Sequence, residues 1–268
     1  MTAFLDDMVA GRMATIGREF GELGAADRER LACCARPPRD FVAALTERDD
    51  VAVIAEVKKA SPSLGPIAPD LEASRQACVY QEGGAAAISV LTESTRFGGR
   101  FSDLSDVADA VDVPVLCKDF VVDPVQLFLA RGHGADAVLL MVSILGERTA
   151  EFIDLAATLR LAPLVEVHSM AELDTAWSAG ARLVGVNSRD LRTLEVDLVR
   201  ARLVVAEARR IDMTVVAESG VSFRADVEAA AGAGADAVLV GTALMKARFP
   251  EDVLELLTGV RKGGRDDE

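Results

Sequence analysis

Residues 133–141 read HGADAVLLM, and similar stretches occur three more times in the chain. They are GGAAAISVL at 83–91, AGARLVGVN at 179–187 and AGADAVLVG at 233–241. In each stretch a Gly-Ala pair stands between a helical pattern and a short apolar run of strand length. A glycine there can adopt the left-handed conformation that ends many helices. The repeat therefore predicts four equivalent helix-to-strand joints.

Apolar runs alternate with amphipathic segments from Val51 onward, which predicts eight strands in all. The strands are expected at 51–57, 85–91, 113–119, 137–142, 162–167, 183–187, 214–217 and 237–240. Helical patterns between them include 124–132, 147–161, 170–179, 196–210 and 223–233. Eight βα units without a long linker predict a closed (β/α)8 TIM barrel, while periodicity alone leaves a doubly wound open sheet as the alternative.

The remaining segments divide the chain into three predicted parts. Residues 1–50 show helical spacing, interrupted at Pro37-Pro38, and predict an N-terminal helical extension. Residues 51–262 form the barrel, and the charged residues 263–268 are expected to be a frayed tail.

Composition limits the classes of function. The chain has 268 residues, half of them hydrophobic, and a formal net charge of −14, which disfavours a nucleic-acid surface. No apolar run approaches the roughly 20 residues that span a bilayer, and Asp6 and Asp7 stand where a signal peptide needs positive charge. A cytoplasmic protein without a membrane or nucleic-acid partner is expected. Four cysteines without CxxC spacing and two histidines disfavour a zinc or redox site.

Charged and polar residues gather where the predicted strands end. The first such stretch is VAVIAEVKKASPSLG at residues 51–65, in which Glu56 and Lys58 share one face of the strand. Later strand ends carry Glu93, Lys118, Glu166, His168, Asn187, Arg189 and Glu218. Because an active site in this fold lies at the carboxyl ends of the strands, these residues are candidates for it. A purely structural ring of ion pairs is the alternative, since buried charges must be paired.

A second signal indicates phosphate binding. Ser219-Gly220 follows the seventh strand, and Gly241-Thr242 follows the eighth and leads directly into a helical segment. The loops after strands 7 and 8 are the usual phosphate site of a TIM barrel, where backbone N–H groups at a helix start attract anions. The loop Ser61 to Gly65 lies across the seam between the eighth and first strands and is expected to complete the site.

The motifs resemble the indole-3-glycerol phosphate synthase family, which closes the indole ring in tryptophan biosynthesis. They are IAEVKKASPS, SVLTE followed by FGG, LCKDF, LVEVH, VNSRDL and VAESGV, in the family's order, within a match from about residue 38 to residue 246. The resemblance implies a (β/α)8 barrel whose N-terminal helices cover its mouth. It also implies conversion of 1-(2-carboxyphenylamino)-1-deoxyribulose 5-phosphate to indole-3-glycerol phosphate, with loss of carbon dioxide and water and without a metal or organic cofactor.

Roles for single residues follow from the resemblance, motif by motif. Lys118 is expected to be the general acid of ring closure, and Glu166 is expected to transfer protons during dehydration. Lys58, beside Glu56, is expected to hold the substrate carboxylate and assist proton transfer. Asn187 and Glu218 are expected to position the reacting hydroxyls and amine. Residues expected to bind phosphate are Ser61, Ser219, Gly220, Gly241 and Thr242.

Further residues complete the expected pocket. Lys58, Lys118 and Arg189 are expected to make it locally positive, and the anthranilate ring needs an apolar wall for which Phe120, Leu91 and Leu139 are candidates. Cys117, one residue from Lys118, is expected to face the helices, as alternation along a strand requires.

Other interpretations remain for single residues and for the whole chain. His168 is expected to be a hydrogen-bonded rim residue rather than a metal ligand, and Glu93 is either catalytic or a partner of Lys58 or Lys118. A related barrel such as phosphoribosylanthranilate isomerase is an alternative enzyme. A degenerate barrel that senses a phosphorylated metabolite is the non-enzymatic alternative, and the sequence leaves the oligomeric state open.

Overall fold

The eight predicted strands form a closed parallel barrel in the computed structural model, which describes residues 4–33, 35–61, 65–191 and 193–263. The strands are β1 (Ala52–Val57), β2 (Ala87–Leu91), β3 (Val115–Lys118), β4 (Ala137–Met141), β5 (Ala162–Val167), β6 (Leu183–Asn187), β7 (Thr214–Glu218) and β8 (Ala237–Val240). Ala52 of β1 pairs with Ala237 of β8, and this register closes the barrel. The open-sheet alternative is therefore wrong.

Helices surround the barrel in the order that the sequence predicts. They are α1 (Phe4–Phe20), α2 (Ala25–Cys33), α3 (Phe41–Thr46), α4 (Ala73–Glu82), α5 (Phe101–Ala110), α6 (Val125–Gly132), α7 (Val142–Leu145), α8 (Thr149–Thr158), α9 (Met170–Ser178), α10 (Leu198–Arg210), α11 (Arg224–Gly232), α12 (Thr242–Lys246) and α13 (Pro250–Leu257). A 3-10 turn, Gly146–Arg148, precedes α8. A short hairpin pairs Ala60–Ser61 with Gly65–Pro66 directly after β1.

The repeated Gly-Ala pairs occupy equivalent joints, as predicted. Gly84, Gly134, Gly180 and Gly234 have φ angles of +93°, +86°, +90° and +98°, values that side chains other than hydrogen rarely allow. Space is also short at two of them. An added Cβ would lie 2.8 Å from the Ala108 side chain at Gly134 and 2.8 Å from Arg209 Cγ at Gly234.

Side chains along the strands alternate between two apolar regions. One lies inside the barrel and includes Ile54, Leu116, Leu139, Leu164 and Leu239. The other lies between strands and helices and contains mainly valines and alanines, with Cys117 among them, as expected. This alternation fixes which strand residues point inward, and so it fixes which side chains reach the mouth.

The N-terminal extension runs from one end of the barrel to the other. In α1, Phe4 borders the cavity at the mouth, and Arg12 bonds to Asp119, just beyond β3. Helix α2 packs on α6 along the side, and α3 lies against β1 and β2, where Lys262 Nζ donates to the Leu45 carbonyl. Of the described helices of the extension, α1 therefore lies at the mouth, whereas α3 closes the opposite end.

Some expectations fall outside the described residues. These are the central part of the predicted phosphate loop, residues 62–64, and residues 264–268 of the tail. Across the described ranges, no helix has both the length and the apolar character needed to cross a membrane.

Candidate active site

A cavity of about 380 Å³ opens at the carboxyl ends of the strands. The residues predicted from the sequence to act in catalysis or binding line it, whereas the open candidates Glu93 and His168 do not. The lining residues of the predicted site are Glu56, Lys58, Ser61, Lys118, Phe120, Glu166, Asn187, Arg189, Glu218, Ser219, Gly220, Gly241 and Thr242. Three strands end in one of these polar residues, at Lys118, Asn187 and Glu218, and β1 and β5 carry Glu56 and Glu166 one position before their last residue. Barrel closure therefore brings together residues that are far apart in the chain.

Lys118 lies among buried carboxylates. Its Nζ is 3.0 Å from Glu218 Oε2 and 3.5 Å from Glu166 Oε2, and both carboxylate side chains are about 1% exposed. Burial lowers the pKa of Lys118, but the charges of Glu218, Glu166 and Glu56 outweigh it and raise the pKa well above its usual value. Lys118 is therefore an ammonium group at neutral pH.

For Glu218, in contrast, burial outweighs the charge of the neighbouring lysine in setting the pKa. Burial raises the pKa of Glu218 to about 7, assisted by the charge of Glu166 and opposed by Lys118. Its Oε1 and the Oε1 of Glu166 are buried and have no hydrogen-bond partner among the described residues. Unpaired buried oxygens are rare in folded proteins, and a catalytic role is one reason that a protein keeps them.

A second ion pair stands beside this group. Lys58 Nζ lies 2.7 Å from Glu56 Oε1 and donates to Thr242 Oγ1 at 3.4 Å. Burial raises the pKa of Glu56, but Lys58 and Lys118 outweigh burial and leave the pKa below its usual value. Gly241 is required here, because an added Cβ would lie 2.2 Å from Glu56 Oε1. The pocket thus holds carboxylates near each of these lysines and is less positive than the sequence suggested.

The groups predicted to bind phosphate lie at one side of the cavity. Ser61 is buried, and its Oγ has no partner within the described part of the chain. Ser219 and Gly220 have φ angles of +65° and +76°, and the Ser219 carbonyl accepts a bond from Ser188 Oγ at 3.1 Å. Thr242 begins α12. Ser61, Ser219, Gly220 and Thr242 therefore line the part of the cavity that follows β1, β7 and β8, beside Lys58.

Apolar side chains form the opposite part of the lining. Phe120, Leu91 and Leu139 all line the cavity, as expected, and the Phe120 ring lies 6.0 Å from that of Phe97. Arg189 also lines it, with Nη1 donating to the Leu194 carbonyl. The cavity is therefore amphipathic, with room for a flat ring.

The structure shows the hydrogen-bond partners of Glu93 and His168, the two residues whose roles the sequence left undecided. Glu93 accepts bonds from the backbone N–H groups of Thr95, Arg96 and Phe97, so it shapes a loop and does not pair with Lys58 or Lys118 as one interpretation expected. His168 is hydrogen-bonded, as predicted, and its partner is Glu172, which the sequence analysis did not name. Within the described ranges, no group of three or more His, Cys, Asp and Glu side chains could hold a metal ion.

Two contributions to the site escaped the sequence analysis. Asp119, quoted in LCKDF without a role, accepts Arg12 Nε at 2.8 Å and Thr92 Oγ1 at 2.8 Å, which attaches α1 beside Lys118. Gly185 on β6 leaves space for Glu218, since a Cβ there would lie 2.1 Å from Glu218 Oε1. A glycine inside a strand pattern is a recognisable signal of such close approach, whereas nothing in the sequence pairs Arg12 with Asp119.

Comparisons with known proteins agree with this geometry. The family model described as indole-3-glycerol phosphate synthase matches residues 5–256. The chain is 45% identical over 257 residues to indole-3-glycerol phosphate synthase of Mycobacterium ulcerans, covering 95% of this chain and 93% of that protein. It is 46% identical over 248 residues to indole-3-glycerol phosphate synthase 1 of Streptomyces coelicolor, covering 92% and 91%. A solved 3-hexulose-6-phosphate synthase shares the fold, with a TM-score of 0.64, 19% identity and coverage of 77% of this chain and 98% of that one.

Proposed function

The chain belongs to the indole-3-glycerol phosphate synthase family of decarboxylating lyases in tryptophan biosynthesis, and on this premise we propose how its residues carry out the ring closure. The substrate is 1-(2-carboxyphenylamino)-1-deoxyribulose 5-phosphate, and the product is indole-3-glycerol phosphate. The observation that carries the proposal is a lysine ammonium between two buried carboxylates, each of which has an oxygen without a hydrogen bond to any described residue.

Lys118 is the general acid of ring closure. Attack of the aromatic carbon on the ribulose carbonyl places negative charge on the carbonyl oxygen, and an adjacent ammonium stabilises that charge and donates a proton to it. The flanking carboxylates keep Lys118 charged until the proton is needed. Loss of carbon dioxide then restores the aromatic ring.

Glu166 transfers protons during dehydration. The leaving hydroxyl takes up one proton and the neighbouring carbon releases one, so this step is neutral overall. Ring closure and decarboxylation consume one proton, which Lys118 must regain from solvent before the next turnover. Glu166 Oε2 lies 3.5 Å from Lys118 Nζ, close enough to share a substrate with it. Asn187 and Glu218 position the hydroxyls and the amine.

The two anionic ends of the substrate have separate places in the cavity. Ser61, Ser219, Gly220, Gly241 and Thr242 hold the phosphate through hydroxyl and backbone N–H groups. Lys58, fixed by Glu56, holds the carboxylate and assists proton transfer. Phe120, with Leu91 and Leu139, covers the anthranilate ring, and Arg189 contributes positive charge at the rim. The enzyme works in the cytoplasm on this small phosphorylated substrate.

The test is to incubate the purified protein with the substrate and follow indole absorbance and fluorescence with EDTA present. Turnover that survives chelation is expected, because the proposal uses no metal. Tight binding by calorimetry without turnover would instead favour a sensor of phosphorylated metabolites. Absence of both binding and turnover would contradict the proposed substrate.

A further inference from the structure

His168 is held firmly from one side by Glu172. The two residues lie one helical turn apart, at the end of β5 and in the first turn of α9. Glu172 Oε2 accepts the His168 backbone N–H at 2.7 Å and lies 3.1 Å from His168 Nδ1. Ser169 caps α9 by accepting the Glu172 backbone N–H, which fixes the start of this helix. The orientation of the imidazole is therefore set from outside the cavity.

The other ring nitrogen faces the cavity carboxylate. His168 Nε2 lies 3.4 Å from Glu166 Oε1. Both atoms are buried, and in the described part of the chain neither has a hydrogen-bond partner. Glu166 Oε2 points instead toward Lys118. Glu166 is thus placed between two nitrogen groups, one on each oxygen.

This arrangement determines where protons must lie. An ionised Glu172 only accepts hydrogen bonds, so His168 Nδ1 carries the proton that points toward it. If Nε2 had no proton, its lone pair would face the lone pairs of Glu166 Oε1, which is repulsive. One proton between Nε2 and Oε1 removes this conflict. The carboxylates of Glu172, Glu166 and Glu218 outweigh burial and raise the pKa of His168, which favours the imidazolium form.

We propose that His168 is a positioning residue for Glu166, holding Oε1 through its Nε2–H so that Oε2 remains available for proton exchange with the substrate. The inference rests on the proposed role of Glu166 in dehydration. His168 keeps its proton through the dehydration. The leaving hydroxyl takes up one proton and the neighbouring carbon releases one, so the step places no net proton demand on His168. Its effect is on the orientation of Glu166, a role that outer-shell partners often have.

Kinetics of three variants test the role. His168→Ala removes the donor and is expected to lower kcat by roughly tenfold to a hundredfold, the range for loss of a hydrogen bond to a charged group. KM is expected to change by less than about twofold, because His168 does not line the cavity. His168→Gln should recover part of kcat through its amide N–H. His133→Ala is the matched control, since the His133 ring bonds to Ser105 and lies away from the cavity.

Histidine NMR tests the contact between His168 and Glu166 directly, because a purely structural role of His168 predicts no response of its pKa to a change at Glu166. The chain contains two histidines, so the His133→Ala spectrum assigns both. His168 is expected to titrate above its ordinary pKa in the wild-type protein, and its midpoint should fall in Glu166→Gln, where one facing negative charge is lost. The His133 midpoint should not respond to Glu166→Gln.

The outcomes separate this inference from the proposed function. If Glu166→Gln loses turnover but His168→Ala keeps wild-type kcat, the inference is overturned and the role of Glu166 stands. An unchanged His168 midpoint in Glu166→Gln also overturns it. If Glu166→Gln keeps full turnover, the proposed role of Glu166 fails, and the positioning role fails with it.

Discussion

The two ends of the barrel both bury carboxylates, but only one end pairs every oxygen. At the amino end, Asp136 accepts Arg36 Nη2 and the backbone N–H groups of Arg39 and Val115, all at 2.8 Å. Asp236 likewise accepts the Val215 N–H at 3.0 Å and Arg209 Nη1 at 3.4 Å. At the carboxyl end, Glu166 and Glu218 each keep a buried oxygen without a hydrogen bond to any described residue, although Glu166 Oε1 lies 3.4 Å from His168 Nε2.

This difference separates carboxylates that are fully paired from those to which we assign a role in the proposed reaction. A buried carboxylate whose bonds are complete stabilises one arrangement of the chain, and its removal leaves its partners unpaired. A carboxylate oxygen without a hydrogen bond can still accept one. Substitutions at the amino end should therefore act on stability, and those at the carboxyl end should act on the reaction.

The largest effect is expected for Lys118→Met. Loss of the general acid should lower kcat by about 10³-fold, within the range for proton donation with electrostatic stabilisation. Substrate affinity should change by less than about tenfold, because Lys118 acts mainly on charge that develops in the transition state. Single-turnover kinetics and calorimetry with the substrate measure the two quantities.

Lys59→Met is the control for this variant, since the Lys59 ammonium pairs with Asp103 outside the cavity. It should keep kcat within about twofold. If Lys118→Met kept a rate within tenfold of wild type, the assignment of Lys118 as the general acid would be wrong. The carboxyl end of the barrel would then show no catalytic effect to compare with the amino end.

At the amino end, Asp136→Ala should lower the free energy of unfolding by about 3 kcal/mol, as expected when one partner of a buried ion pair is removed. The folded variant should keep kcat within about twofold. Asp236→Ala should cost less, because Asp236 has fewer and longer hydrogen bonds. Urea unfolding together with the indole assay measures both effects. Unchanged stability in Asp136→Ala, or a kcat loss like that of Lys118→Met, would erase the distinction between the ends.

Glu218 allows a test by pH. Its pKa rises from the ordinary value for glutamate to about 7 in the folded protein, so between these values the folded protein holds a proton that the unfolded chain has released. The corresponding stability is complete at low pH and declines as pH rises to about 7. Glu218→Gln stays neutral and should lack this decline. The stability of the variant minus that of wild type should therefore increase by about 2 kcal/mol from pH 5 to pH 8.

Urea unfolding at four pH values measures this slope. The absolute offset at pH 5 includes the altered contact with Lys118, so the slope is the quantity that tests the pKa. His168 titrates in both proteins and largely cancels in the difference. A flat difference would mean that Glu218 is already ionised at pH 5.

The placement of the polar strand-end residues in the cavity was predictable from the sequence. Each of them follows a local apolar pattern, and one rule of the fold applies to all of them. Glu56, Lys118 and Glu166 follow apolar runs, and the carboxyl ends of all strands in a closed parallel barrel meet at one face. The Gly-Ala joints were predictable for a similar reason, since helix-to-strand geometry requires a positive φ at the glycine.

Contacts between distant segments were not predictable in the same way. Arg12 and Asp119 are 107 positions apart, and no periodicity relates a helix residue to a particular strand end. The position of α3 at the amino end, away from the mouth, depends on tertiary contacts such as Lys262 with Leu45. Glu93 is an example of a misleading local pattern. Its position at a strand end suggested catalysis, but its carboxylate accepts hydrogen bonds from three backbone N–H groups of the following loop.

The smallest expected effect compares two buried hydroxyls. Ser61 Oγ and Ser89 Oγ are both without a hydrogen-bond partner among the described residues, but only Ser61 lines the cavity. If Ser61 binds the substrate phosphate, Ser61→Ala should raise KM and the inhibition constant for inorganic phosphate by about fivefold, close to 1 kcal/mol for one hydrogen bond, with kcat nearly unchanged. Ser89→Ala should leave both constants unchanged and stabilise the protein slightly, because an unpaired hydroxyl is removed from the interior. Equal behaviour of the two variants would show that an unpaired buried oxygen does not by itself distinguish a ligand site from the core, and the comparison between the barrel ends would then depend on Lys118 and Asp136 alone.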